Sequence, residues 1–290
     1  MTFPSVQDWN ADHPKRILLF GMSGLGKTHV SNALRDGGGW FHYSIDYRIG
    51  TRYMGEHIVD NFKREAMRNP FLAELLRSDS IYIASNITFD NLKPLSTYLG
   101  KPGDPAKGGI PFAEYKRRQE LHRQAEISAL LDTPHFVDRA HDLYGYENFV
   151  CDSGGSICEV VDPANPDDAV MTALSDALLM IWIEGNDDHI DELVRRFDKA
   201  PKPMYFNPAF LDNVWQSFLS ETGTTETTVD PDAFMRYAYR RCLDHRLPRY
   251  RAMAARWGIS VQADDIAKVR APEDFHQLIS AALATRADAS

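Results

Sequence analysis

Eight residues near the amino terminus, Gly21-Met22-Ser23-Gly24-Leu25-Gly26-Lys27-Thr28, keep the spacing G-x-x-x-x-G-K-[ST], the Walker A pattern. That spacing suits one task above others, which is to hold the phosphates of a nucleoside triphosphate. Glycines let the backbone curl so that successive N–H groups point at phosphate oxygens, and a helix starting directly after the loop turns its positive end toward the same anion. On this reading Gly21, Ser23, Gly24, Leu25, Gly26, Lys27, Thr28 and His29 form the nucleotide site. Lys27 reaches the β- and γ-phosphates, and the Thr28 hydroxyl binds Mg²⁺. The competing reading is a glycine-rich turn that matches by chance. The flanking sequence argues against it, because the apolar run Ile17-Leu18-Leu19-Phe20 enters the loop as a buried strand would and His29 to Leu34 leaves it as a helix.

The elements that must position this loop alternate between strand and helix. Gly37-Gly38-Gly39 breaks the chain, and Trp40 to Tyr43 is a second strand. Ile58, Phe62, Met67, Phe71 and Leu75 share one face of a helix spanning about 55–76, and Ile81-Tyr82-Ile83 is a short strand. The Gly- and Pro-rich stretch 101–109 is an exposed loop that becomes ordered around substrate, and charges between Glu114 and Glu126 indicate a helix with one solvated face. Phe149 to Cys151 is a buried strand running into Asp152-Ser153-Gly154-Gly155-Ser156. Leu178 to Ile183 is a central strand, followed after Asp187-Asp188 by a helix through Phe197. Residues 220–231 form a surface loop, 235–257 a helix, 259–261 an edge strand and 275–283 a closing helix. The first fifteen residues, polar and with two prolines, form an arm packed loosely on the rest. Strands separated by helices imply an α/β fold, a parallel sheet covered on both sides.

With 290 residues, 43% of them hydrophobic, the chain can bury a substantial core, and it is read as one elaborated domain over 1–290. Its net charge of −9 excludes a general affinity for nucleic acid or an anionic membrane surface, although a local basic patch can still bind a small anion. Three cysteines without a C-x-x-C pair, no apolar leader and no run long enough to cross a bilayer point to the cytoplasm and reduced thiols.

Four further segments fall, in order, after the elements where one family carries them. Ser44-Ile45-Asp46 follows the second strand, and Asp152-Ser153-Gly154-Gly155 follows the third. Arg195-Arg196 precede Lys202-Pro203, and Arg246-Leu247-Pro248-Arg249-Tyr250 ends with Ala254 four residues on. Together with the phosphate loop these make the chain resemble the shikimate kinase branch of the P-loop small-molecule kinases, which are NMP kinase-like P-loop NTPases. The resemblance covers about half the chain. It implies a three-layer P-loop fold with a central parallel sheet and helical insertions at 53–110, beside the acceptor pocket, and at 206–235, after the lid. It also implies roles for the matched residues. Asp46 is the surviving acid of the family's Asp-x-Asp pair and would orient the acceptor hydroxyl and receive its proton. Ser44 replaces the metal-linked acid, and Asp152 would take over that metal role. Ser153 replaces the first glycine of a triplet whose other members, Gly154 and Gly155, lie beside the substrate. Lys202 replaces a lid arginine, keeping the charge but losing the fork, and with Arg196 it would stabilise the transferring phosphoryl group. Arg246 would bind the acceptor's carboxylate, as would Arg117, which follows Tyr115 in a register fixed only to within one residue.

Each position keeps a simpler alternative: a helix N-cap for Asp46, a tight turn for Asp152, and solvated surface charge for Arg117, Arg195, Arg196 and Arg246. The two insertions imply an acceptor other than shikimate, or a protein partner. Tyr82, Tyr98, Phe112 and Tyr115 are either pocket lining or core. The function implied is ATP- and Mg²⁺-dependent transfer of phosphate to a hydroxyl of a small anionic metabolite. The alternative is a P-loop ATPase or nucleotide-gated switch engaging a protein partner, with a nucleotide kinase a weaker third. Adenine preference follows from the resemblance, and the N-K-x-D pattern of guanine-specific proteins is absent.

Overall fold

The computed structural model describes residue 3, residues 5–11 and residues 13–288. In chain order the elements are α1 Val6–Asn10, β1 Arg16–Phe20, α2 Lys27–Asp36, β2 Trp40–Ser44, α3 Ile45–Arg48, α4 Gly55–Ala66, α5 Pro70–Arg77, α6 Lys93–Leu99, α7 Phe112–Leu131 and α8 Thr133–Tyr144. There follow β3 Asn148–Asp152, α9 Ile157–Val160, α10 Ala169–Ala177, β4 Leu179–Glu184, α11 Asp187–Lys199, α12 Pro208–Thr222, α13 Pro231–Trp257, β5 Gly258–Gln262, α14 Ala263–Ile266 and α15 Pro272–Asp288. The stretch read as one domain carries two compact units, one of residues 1–45, 127–200 and 239–290, the other of 46–126 and 201–238. Both ranges read as insertions, 53–110 and 206–235, fall in the second unit.

The first unit holds a five-stranded, all-parallel sheet in the order β2-β3-β1-β4-β5. Strand β1 lies in the middle, so the run 178–183, expected as central, is an interior neighbour, while β5 is the edge strand its short length suggests. Side chains alternate across a strand, and β2 shows that both faces are covered. Trp40 meets Phe275 of α15 edge-on, whereas Tyr43, three residues on, stacks against Phe136 of α8. Helices α2 and α15 pack on one face and α8 and α10 on the other, which gives three layers. This is why β1 and β4 are almost uninterrupted apolar runs: a strand covered on both faces has no solvated side to make polar.

The amino-terminal arm is not loose. Trp9 is fully buried, its Nε1 donates to the His276 carbonyl at 3.1 Å, and the Lys15 ammonium lies 5.5 Å from its ring centroid. One large aromatic residue is enough to pin a polar segment, which composition averaged over fifteen residues conceals.

In the second unit the helix expected over 55–76 is two. Asn69 caps α5 by accepting from the Phe71 and Leu72 amides, and Pro70 takes the first helical position, where its missing N–H costs nothing. Residues 81–83 form no regular element and belong to no sheet, and Tyr82 is 89% exposed. Tyr98, Phe112 and Tyr115 are buried, with Phe112 stacked on Trp215 at 4.2 Å. The 101–109 stretch is held by the Asp104 amide on the Val229 carbonyl at 2.8 Å and by Lys101 on Asp232 at 2.6 Å. The side chain of Gln119 grips the backbone on both sides of Tyr205, donating to the Met204 carbonyl at 3.0 Å and accepting from the Phe206 amide at 2.9 Å.

Candidate functional site

Strand β1 ends at Phe20 and α2 begins at Lys27, so the phosphate loop spans the six residues between an interior strand and a helix start. Gly24 has φ of +96°, and a Cβ built on it would stand 2.6 Å from Arg196 Nη2. The positive φ favours glycine there, and the short distance shows that the Arg196 guanidinium lies beside the loop. Lys27 is buried, its ammonium donating to the Gly21 carbonyl at 2.8 Å and the Met22 carbonyl at 3.1 Å. Thr28 Oγ1 donates to Asp152 Oδ2 at 2.9 Å, joining residues 124 positions apart. The pairing follows from sheet parity. Asp152 is in register with Ser44 of β2, on the face that carries Trp40 toward α15 and α2. Burial raises the Asp152 carboxyl above the ordinary carboxylate range, against the pull of the Lys27 charge and the Thr28 hydrogen bond. His29 is at the start of α2 as expected, with its ring Nε2 2.8 Å from the Val269 carbonyl.

The turn after β3 lies against the loop. Ser153, where the resembled family has glycine, uses its hydroxyl to donate to the Leu19 carbonyl at 2.9 Å and so ties the turn to β1. A Cβ on Gly155 would stand 2.5 Å from Ser23 Oγ and 3.1 Å from Ser23 N. The Gly155 carbonyl accepts from Arg246 Nη1 at 2.7 Å and from the Tyr250 hydroxyl. Arg246, expected on a substrate carboxylate, is 3% exposed, and its Nε donates to Glu159 Oε1 at 2.7 Å. The other oxygen of Glu159 lies 3.1 Å from His245 Nε2. Burial alone would raise the Glu159 carboxyl, but the Arg246 charge and hydrogen bonds from His245 and Arg246 outweigh it and hold it at about 2. Burial pushes the thiols of Cys151 and Cys242 well up and that of Cys158 to about 12, so none of the three is a thiolate nucleophile near neutrality.

The remaining expected residues belong to the second unit. Asp46 lies in the first turn of α3, half-buried, two residues beyond Ser44. Lys202 is exposed in the segment before Gln119's grip. The Arg117 side chain is 52% exposed and forms a two-point pair with Glu114, at 2.8 and 2.9 Å. Its neighbour Arg118 is the buried one, bonded to Glu114 at 2.7 Å, to Asn61 at 3.2 Å and to the Tyr98 carbonyl. Sequence reasoning missed Glu159, Tyr250 and Arg118. Tyr250 was within the quoted Arg-x-Pro-x-Tyr pattern, whereas a single Glu in a four-residue helix gives no signal of its partners.

A hydroxyl and a carboxylate oxygen 2.9 Å apart are hard donors suited to Mg²⁺, which takes one or two protein oxygens and completes its shell with phosphates and water. Among the described residues there is no group of three or more His, Cys, Asp or Glu side chains able to hold a metal, and no helix is long and apolar enough to cross a membrane.

No family model matches the chain, and no curated protein matches it. Among solved structures it is similar to a shikimate kinase from Bacteroides thetaiotaomicron, at 15% identity over 94% of this chain and 97% of that one, with a TM-score of 0.39. The architecture is read from the chain's own sheet: α/β, five parallel strands with helices on both faces and the glycine-rich loop between β1 and α2.

Proposed function

We propose that this protein transfers the γ-phosphoryl group of ATP to a hydroxyl of a small anionic metabolite. The observation that carries the reading is the Thr28–Asp152 contact beside Lys27, which assembles a hydroxyl, a carboxylate and an ammonium at the mouth of a phosphate loop. Lys27 and the loop amides hold the phosphates, and Arg196, already beside Gly24, stabilises charge on the group in transfer, joined by Lys202 from the lid segment. Thr28 and Asp152 hold Mg²⁺, which when bound neutralises phosphate charge. Asp46 orients the acceptor hydroxyl and takes its proton as the new P–O bond forms. With Arg246 engaged on Glu159 and Gly155, the acceptor's anionic group falls to Arg117, whose pair with Glu114 is half-exposed and cheap to exchange.

The test is ADP release from Mg²⁺-ATP without an acceptor, with shikimate, and with a panel of hydroxylated carboxylates and sugar acids. Strong stimulation by one compound, lost in Asp46→Asn while basal hydrolysis survives, supports the kinase. Slow turnover indifferent to every acceptor moves the assignment to an ATPase or to a switch that answers to a protein partner.

A further inference from the structure

A dense polar cluster of the first unit lies behind the phosphate loop, where α13 meets the turn and short helix after β3. Arg246 and Tyr250, one helical turn apart on α13, both donate to the carbonyl of Gly155, filling its two lone pairs. Arg249 donates to the carbonyls of Cys158 at 2.7 Å and Val161 at 2.8 Å. Glu159, with no exposed side-chain surface, accepts from Arg246, and His245 lies 3.1 Å from its other oxygen. Four residues of one helix thus hold four residues of the turn and short helix, Gly155, Cys158, Glu159 and Val161. The held segment lies close against Ser23, whose amide belongs to the glycine-rich loop: Gly155 leaves no room there for even a Cβ.

We propose that Arg246, Tyr250 and Glu159 are positioning residues that set the Gly154–Gly155 turn, and through it the Ser23 amide, in register with the bound phosphates, and that Arg246 is therefore not the acceptor's anion ligand. Arg246 is 3% exposed, with Nε on Glu159 and Nη1 on the Gly155 carbonyl, so its guanidinium offers a substrate carboxylate little open face. The acceptor's anionic group is read elsewhere, and the family's carboxylate-binding position here serves the nucleotide side.

This inference rests on the phosphate loop's holding a nucleotide. It is tested by calorimetric titration of the full chain with Mg²⁺-ADP, alongside melting temperature, for the wild type, Tyr250→Phe and Arg246→Lys. Tyr250→Phe keeps the ring and removes one donor to Gly155, so its Kd for Mg²⁺-ADP is expected to rise about fivefold, the effect of one neutral hydrogen bond, with little change in melting temperature. Arg246→Lys keeps the charge and loses the two-point geometry, and its Kd is expected to rise at least as far. If both variants bind Mg²⁺-ADP as the wild type does, the positioning role is overturned while the nucleotide reading stands. If the wild type itself does not bind Mg²⁺-ADP, the nucleotide reading fails and takes this inference with it.

Discussion

Two carboxylates seven residues apart, Asp152 and Glu159, are both buried, and their environments push them in opposite directions. Asp152, at the end of β3, faces a hydroxyl and a lysine whose ammonium is shared with two loop carbonyls, and burial leaves its carboxyl raised. Glu159, in α9, is met by a guanidinium and an imidazole, and its carboxyl is held at about 2. A carboxylate supplied with its full complement of protein cations is finished as a structural element. One left short of positive charge in a cleft is a place where a bound cation improves the electrostatics, and this separates a site from its scaffold more reliably than burial does.

The comparison breaks most visibly at Glu159. Glu159→Ala leaves the Arg246 guanidinium buried without its counterion, and the expected loss is about 3–5 kcal/mol of unfolding free energy in urea or thermal melts. Glu159→Leu combined with Arg246→Met removes both charges and is expected to recover most of that loss. If the double variant is no more stable than Glu159→Ala, the pair is not the source of the effect.

Asp152 answers differently. Asp152→Asn keeps an acceptor for the Thr28 hydroxyl and removes a charge that burial disfavours, so the protein is expected to melt at the same temperature or higher. Activity is expected to fall by roughly 10²–10³, in the range of a lost electrostatic contact to the reacting group. A variant that loses stability and activity together would place Asp152 with the scaffold, beside Glu159.

How much of this was legible in the sequence follows the same division. Residues 21–28 are legible because loop, strand and helix are contiguous, so spacing encodes geometry. The strands β1 and β4 are legible because a doubly covered sheet writes itself as apolar runs. The Thr28–Asp152 contact was half legible: each residue stood out, but their meeting depends on strand order and face parity, which set Asp152 in register with Ser44. Arg246 stood out for its motif, yet its partner Glu159 lies 87 residues away, and no local pattern reports a buried counterion. The run at 81–83 has the right residue types for a strand, but pairing is a tertiary property and no described neighbour supplies it. Trp9 is the converse, a single residue whose burial overrides the polarity of its whole segment.

The smallest effect per group, and the one that sharpens the contrast between the two carboxylates, is the acid limb of the stability curve. His42 and His122 are each lowered from 6.5 to about 4, His42 by burial and then the Arg35 charge, His122 by burial alone. Between pH 6.5 and 4 the unfolded chain binds protons that the folded histidines refuse, so unfolding free energy falls on acidification across that window, by up to roughly 3 kcal/mol per histidine. Below about 4.5 Glu159 adds to the decline, since its folded carboxyl stays ionised down to about 2 while the unfolded one protonates. Asp152 runs the other way: its raised carboxyl takes up a proton in the folded state before the unfolded state does, which offsets part of the loss. Urea titrations at a series of pH values should therefore give a shallower acid limb for the wild type than for Asp152→Asn. In His122→Asn the decline between pH 6.5 and 4 should be reduced by one histidine's share. A steeper acid limb for the wild type than for Asp152→Asn would mean that Asp152 is compensated as Glu159 is, and the distinction between site and scaffold drawn from their environments would fail.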